Sequence, residues 1–380
     1  MDVGSLLPKR PISQRHIKSE ERGQAGILGF DCVYFLNSFL IDFTTADRTP
    51  PHLPVTLQLK PINRPFMQLS RRKPLGIEIV TLAYTLFTTL LISIFFQRMS
   101  DPLRLLEGRA FVLIGMGIIY AIYRTQPNSY TLFLRYVFPL SLLGYWYPDT
   151  YEFCQLFPNL DYVFASADQA LFGCQPSIEF SQWLPQKVWS ELFHMGYFSY
   201  YPLIAFTVLI PLADRRREFE RTAFIVLTSF FLYYLIYLFL PVAGPQYYFH
   251  AVGLHTIEAG HFPQLGDYFR THTEMAISPG PDGFFRELVE ATQASGERPT
   301  AAFPSSHVGA STILMILLWK NRHAYFYIAL PFYFFLCCAT VYIQAHYLVD
   351  VIGGLVSAIL FYKFCHWLST SVMHMDEGTL

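Results

Sequence analysis

Long apolar runs separated by short polar connections make up most of this chain. A bilayer core takes about 17–25 consecutive apolar residues of helix. Runs of about that length lie at 75–97, 110–123, 130–148, 189–212, 222–243, 305–320, 324–342 and 347–368. The run at 110–123 is short and reads as extended at its start. The pattern predicts an all-α fold, a polytopic transmembrane helical bundle with eight spans. The stretch 27–46 is apolar too, but Asp31 and Asp42 interrupt it, so it reads as an interfacial or re-entrant helix. The organisation expected from this is a polar region over 1–74 and N-terminal spans over 75–148. An outer loop with an interfacial helix follows over 149–188, then a chemistry-bearing core of spans over 189–368 and a cytoplasmic tail over 369–380.

Charge adds an orientation. Short cytoplasmic loops carry an excess of Lys and Arg. Arg71, Arg72 and Lys73 precede the first run, Arg215, Arg216, Arg217 and Arg221 separate the fourth from the fifth, and Lys320 and Arg322 separate the sixth from the seventh. With eight spans, all three groups fall on one side, together with both termini. Arg98, Arg104 and Arg109 weaken the bias without reversing it. The loops 149–188 and 244–304 then face the exterior, the periplasm or an organelle lumen. The chain reads as a multi-pass integral membrane protein whose active site faces that side.

Composition sharpens the class. Of the 380 residues, 53% are hydrophobic, 17% aromatic and only 14% charged, against roughly 25% charged in soluble domains. A net charge of -1 implies no broad attraction to nucleic acid. The first 26 residues lack the apolar core of a cleaved signal peptide, and the six cysteines show no metal-ligand spacing.

Two polar clusters stand out. Phe303-Pro304-Ser305-Ser306-His307 opens the sixth run, and His346-Tyr347-Leu348-Val349-Asp350 opens the eighth. Polar groups at the mouth of a membrane bundle are costly to desolvate and mark function. His346 and Asp350 share one helix face, so a carboxylate can hold a neutral imidazole in one tautomer. With no serine elbow and no Gly-rich nucleotide loop, the pair of histidines suits covalent catalysis without a cofactor. His346 is expected to attack phosphorus and His307 to act as general acid. Ser305 and Ser306, with the free N–H groups of a helix N-terminus, are expected to hold phosphate oxygens. Three blander readings compete. Each histidine can be an interfacial residue satisfied by backbone. The triad of His307, His346 and Asp350 can bind zinc, His346 and Asp350 presenting two ligands on one helix face, although no fourth strong ligand is evident and no metal is expected. Asp350 can be a structural cap.

These residues resemble the type-2 phosphatidic acid phosphatase superfamily. Its second motif, Pro-Ser-x-His, corresponds to Pro304 through His307, and its third ends His-x-x-x-Asp, as at His346 and Asp350. The resemblance covers roughly the last 140 residues. It implies a six-helix core, here with extra N-terminal spans, and metal-independent transfer through a phosphohistidine. The departures are specific. The arginine that the phosphatase branch carries ahead of its third motif is missing, with Ala339 and Thr340 at those positions. In Leu240–Tyr248, Gln246 stands near an expected basic residue and becomes a candidate phosphate-binding residue. Losing guanidinium clamps favours a phosphodiester monoanion over a monoester dianion. The runs 303–309 and 340–350 look like the inositol phosphorylceramide synthase branch of sphingolipid metabolism, an inositolphosphotransferase. That resemblance implies a phospholipid donor and a lipid hydroxyl acceptor such as ceramide. A lipid phosphate phosphatase and a non-catalytic lipid-binding or transport protein remain the alternatives. The oligomeric state is not legible.

Other features carry weaker expectations. Cys154 and Cys174 are free thiols by default, or a pair if their side is oxidising. The stretch 169–176 looks like an interfacial helix ending at Gly173. Tyr145, Trp146, Tyr147, Trp183 and Trp189 fit an interfacial aromatic belt. Arg135 is expected to pair with a carboxylate, and Glu191 with His194. Phe284–Val289 reads as a short surface helix in a loop that can cover the outer mouth.

Overall fold

The computed structural model describes residues 73–213 and 216–375, and every regular element among them is helical. The stretch 27–46 lies outside the described residues, as do Arg71 and Arg72. Helix α1 (Gly76–Phe95) continues as a 3-10 turn to Arg98. Its Thr81, Thr85, Thr88, Thr89 and Ser93 hydroxyls all donate to carbonyls four residues back, which satisfies them without water. Helix α2 (Pro102–Thr125) starts with proline at its first position and an Asp101 cap. The run at 110–123 is thus extended at its start.

The run read as one span at 130–148 is two helices, α3 (Ser129–Ser141) and α4 (Leu143–Cys154). The division falls at Leu142, three residues after Pro139, whose missing N–H removes one hydrogen bond from the ladder; Pro148 lies inside α4. Helix α5 (Asp161–Phe172) ends where Gly173 takes φ 73°, a left-handed cap. Then come α6 (Pro176–Trp183), α7 (Lys187–Phe198) and α8 (Tyr200–Leu209), followed by α9 (Arg216–Tyr237). The long connection holds α10 (Pro245–Val252), α11 (Leu254–Glu258) and α12 (Phe284–Gly296). The last three helices are α13 (Ser306–Asn321), α14 (His323–Tyr342) and α15 (Leu348–Trp367).

Six segments among the described residues are long and apolar enough to cross a bilayer: Gly76–Arg98, Pro102–Thr125, Lys187–Leu209, Glu218–Tyr237, His323–Tyr342 and Leu348–Val372. The protein is an integral, multi-pass membrane protein. Helix α13, with 16 residues, reaches only about 24 Å. The segment Glu218–Tyr237 is 72% buried against 17% for Pro102–Thr125, so α9 forms the axis of the bundle and α2 its rim. Leu86, Leu90, Ile94, Phe111, Ile114, Ile118, Phe334 and Leu360 are exposed, as lipid-facing side chains are.

The two ends of the bundle differ. At one end the Arg135 guanidinium makes two 2.6 Å bonds to Glu78 and one to the Lys73 carbonyl, and Arg322 pairs with Glu218 at 3.2 Å. Arg135 therefore has the structural partner expected of it. At the other end the Cys154 thiol donates to the Tyr237 carbonyl and Tyr234 donates to that of Leu143. Cys154 and Cys174 are both free.

Some side chains depart from expectation. Trp146 is fully buried against Tyr84 and Arg109, because Arg109, tied to Asp149 at 2.8 Å, needs an aromatic face in the core more than the interface needs an anchor. Glu191 does not pair with His194. Its carboxylate accepts the Phe285 and Arg286 N–H groups at the start of α12, and His194 Nδ1 bonds the Ser190 carbonyl. Free N–H groups at a helix start outcompete a neighbouring imidazole for an anion. The helix begun at Phe284 extends to Gly296 and packs on α7.

Candidate active site

Three chain segments meet at the end of the bundle that holds α4. They are the connection before α10, the approach to α13 and the turn into α15. Backbone hydrogen bonds tie them together: Ala302 N to Val242 O (2.9 Å), Gln246 N to Gln344 O (2.8 Å) and Ser305 N to Asp350 O (3.0 Å). Gly244 adopts φ 96°, and a Cβ there would lie 2.5 Å from the Ala345 carbonyl oxygen, so only glycine permits this approach. Helices α13 and α15 also meet closely, since a Cβ on Gly354 would lie 2.7 Å from the Ser305 carbonyl oxygen.

Buried carboxylates brace the crossing. Asp161, at the start of α5, accepts the Ala243 and Gly244 N–H groups at 2.7 Å each and the Tyr347 hydroxyl at 3.0 Å. Asp168, two turns along α5, accepts the Leu348 and Val349 N–H groups at 2.9 and 3.0 Å and so caps α15 from outside. Burial pushes both carboxyls up to about 6, against the hydrogen bonds that favour their charged forms. Asp350 lies in the first turn of α15, fully buried, and its Oδ2 accepts the Tyr347 N–H at 2.9 Å.

The two histidines lie together. Their ring centroids are 5.8 Å apart. His307 lies in the first turn of α13 with Tyr197 stacked on it at 4.6 Å and Tyr200 tilted against it at 4.4 Å. His346, buried just before α15, places Nδ1 2.8 Å from the Ala302 carbonyl oxygen and 3.6 Å from Asp350 Oδ2. A carbonyl can only accept, so Nδ1 carries the proton and Nε2 keeps a lone pair. Burial pushes the His346 imidazole down to about 4, and the Ala302 bond opposes that only in part. A neutral imidazole with a free Nε2 beside a second imidazole can act as nucleophile and acid–base pair. The residues that hold this geometry include two non-glycine positions in the left-handed region, Ala301 at φ 68° and Gln344 at φ 63°, which cluster at the site as backbone strain commonly does.

A narrow pocket opens onto both rings and is lined by Tyr147, Tyr197, Glu297, Thr300, Ser306, His307 and His346, among others. No lysine or arginine is among its described lining residues. Ser306 faces it, whereas the Ser305 hydroxyl is spent capping Val308 N. The side-chain oxygen of Gln246 accepts from Gln293 at 3.2 Å, and Gln246 is not on the pocket wall. Ala339 and Thr340 are buried, with the Thr340 hydroxyl on the Cys337 carbonyl. Among the described residues no group of three or more His, Cys, Asp or Glu could hold a metal ion.

Sequence reasoning missed several members of this site. The Ala302 carbonyl has no side-chain signature. Asp161 and Asp168 lie in a stretch read as a loop, and only their seven-residue spacing, two turns on one helix face, hinted at a joint role. Glu297 stands in an ordinary polar Gly-Glu-Arg-Pro turn.

A family model described as the PAP2 superfamily matches residues 164–364, more than half of the chain, and its span contains His307, His346 and Asp350. No curated protein and no solved structure matches.

Proposed function

The chain belongs to the PAP2 superfamily of lipid phosphatases and phosphotransferases, and on that premise we propose that it moves a phospho-headgroup from a phospholipid to a lipid hydroxyl through a phosphohistidine. The observation that carries this reading is the His346 ring, held by the Ala302 carbonyl with Nε2 free, beside His307 in one pocket.

In the first half-reaction His346 Nε2 attacks the donor phosphorus. The bond from phosphorus to the diacylglycerol oxygen breaks, and His307, which takes up a proton as the anionic donor binds beside it, delivers that proton to the oxygen as its electron pair departs. In the second, the acceptor hydroxyl gives its proton to His307, its oxygen attacks phosphorus, and the phosphorus–nitrogen bond returns its electrons to His346. Ser306 and the first N–H groups of α13 are suited to the phosphate oxygens. Asp350 acts through His346, at 3.6 Å, as a positioning residue. The reaction as written needs neither metal nor cofactor.

The absence of any cation from the described pocket wall supports transfer of a phosphodiester headgroup over hydrolysis of a monoester dianion, which guanidinium groups would clamp. Among such headgroups we favour phosphoinositol with ceramide as acceptor, the inositolphosphotransferase reading of sphingolipid metabolism. The site lies at the bundle end opposite the Glu218–Arg322 pair, and basic residues near that pair favour a cytoplasmic placement for it. The active site then faces the exterior, the periplasm or a lumen.

The test is incubation of purified protein in vesicles with phosphatidylinositol or phosphatidic acid, with and without ceramide. Headgroup transfer that requires the acceptor is the expected result. Release of inorganic phosphate with no transfer would establish the lipid phosphate phosphatase instead. Full activity in His346→Ala would overturn both.

A further inference from the structure

The acidic wall of the pocket has no role in the chemistry above. Glu297 follows α12 directly, its N–H bonded to the Gln293 carbonyl at 2.9 Å, which fixes where its side chain starts. Its Oε1 accepts the Tyr147 hydroxyl at 2.9 Å, and it lines the same pocket as both histidines. We propose that Glu297 selects the substrate class: its carboxylate accepts a hydroxyl of an uncharged polyol headgroup and rejects the second negative charge of a phosphomonoester. This deepens the phosphodiester reading and rests on it for the identity of the reaction.

Electrostatics discriminates first. A phosphate entering this pocket meets a carboxylate and, among the described lining residues, no lysine or arginine. A phosphodiester brings one charge and a monoester close to two at neutral pH, so the like-charge cost falls more heavily on the monoester. Tyr147 and Tyr197 line the same pocket as the carboxylate from two different helices, and neither supplies a positive charge. Arg298, next in the chain, directs its guanidinium to the Glu297 carbonyl at 3.5 Å. Burial pushes the Glu297 carboxyl up to about 7, so its charge, and the repulsion with it, is fully present only above that pH, where the substrates are to be compared.

Hydrogen bonding then chooses among monoanionic headgroups. With Oε1 engaged by Tyr147, Oε2 is left for a donor from the pocket. A hydroxyl is such a donor and so is a primary ammonium, whereas choline's quaternary nitrogen carries no N–H. Choline recognition uses open aromatic faces, and the Tyr197 ring is already stacked on His307. The neighbouring wall carries the hydroxyls of Thr300 and Ser306, which suit a polyol.

The experiment compares kcat/KM for phosphatidylinositol, phosphatidylcholine and phosphatidic acid in wild type, Glu297→Gln and Tyr147→Phe. Wild type is expected to favour the inositol lipid over phosphatidic acid by about tenfold or more, the scale of one unfavourable charge contact. Glu297→Gln keeps an acceptor oxygen and loses the charge. It should shrink that ratio about tenfold or more, through a gain on phosphatidic acid together with a loss on the inositol lipid, whose hydroxyl then meets a weaker, neutral acceptor. Tyr147→Phe removes the donor that favours the charged carboxylate, so it should move the ratio the same way by less. It carries the test if Glu297→Gln does not fold. An unchanged ratio in both variants, or a wild type that prefers the choline lipid, overturns the proposal. If the enzyme only hydrolyses, the transfer reading fails, yet a gain on phosphatidic acid in Glu297→Gln still supports the role of Glu297.

Discussion

The Nδ1 of His346 lies 2.8 Å from the carbonyl oxygen of Ala302, nearer than the 3.6 Å that separates it from Oδ2 of Asp350. A backbone carbonyl therefore sets the tautomer of the proposed nucleophile, and the carboxylate stands behind it.

Removing Asp350 and removing His346 should therefore differ in kind. Asp350→Asn keeps an acceptor for the Tyr347 N–H and leaves the Ala302 bond intact, so kcat should fall about 10–100-fold with KM nearly unchanged. His346→Ala should cost about 10⁴-fold or more and leave no phosphorylated protein. Rapid-quench labelling with a radioactive donor separates the two. Equal loss of the phosphoenzyme in both variants would give Asp350, not Ala302, control of the tautomer.

Acidification should silence the nucleophile late. Burial holds the His346 imidazole down to about 4, so Nε2 stays unprotonated above that pH and kcat/KM should fall as pH drops through it. Stability moves with the same sign. The unfolded chain takes up this proton near the ordinary histidine value of about 6.5, while the folded site refuses it until about 4. Folding free energy from this group is thus lost as pH falls across that window. In Glu297→Gln, which removes the carboxyl held near 7, a kcat/KM profile that still breaks near the ordinary histidine value of about 6.5 would contradict this account.

Asp168 caps α15 from a different helix. Asp168→Ala exposes the Leu348 and Val349 N–H groups and should lower stability by about 0.5–2 kcal/mol, as lost N-caps do. Because the same turn carries His346, activity of the folded fraction should fall as well. Asp168→Asn, which still accepts, should recover most of the stability in a thermal melt.

Gly244 is the narrowest point of the crossing. Gly244→Ala forces a Cβ against the Ala345 carbonyl at φ 96° and should cost about 1–3 kcal/mol for the backbone conformation alone. Since Ala345 precedes His346, turnover should drop more than expression. A variant with wild-type melting and turnover would show that the loop can shift freely.

At the far end of the bundle, Glu78→Gln leaves the nearly buried Arg135 without its counter-charge. A loss of about 3 kcal/mol is the expected scale for breaking such a pair. Arg135 lies among Tyr120, Tyr123 and Glu78, away from the histidines. The KM of the folded protein should stay at its wild-type value while its melting temperature falls.

Much of this protein was legible in residue order because the relevant signals are local. An apolar run of spanning length forms a helix, since lipid offers its backbone no other hydrogen-bond partner. The clusters at His307 and His346 announced themselves as polar groups where apolar helices begin. The division of 130–148 into α3 and α4 was present as Pro139, three residues ahead of the break at Leu142. The partners of Trp146 and Glu191 were not legible, because each is settled by competition among groups distant in the chain.

By itself, then, the order of residues determined the all-helical membrane bundle and two histidines with one aspartate at helix starts. Tertiary structure decided that Ala302 holds His346, that Asp161 and Asp168 brace the turn behind it, and that Glu297 faces the pocket. Helix formation depends on neighbours within four residues, whereas these contacts join residues from 44 to 186 positions apart. One of them uses a main-chain carbonyl, a group that every residue carries and that no residue type reveals.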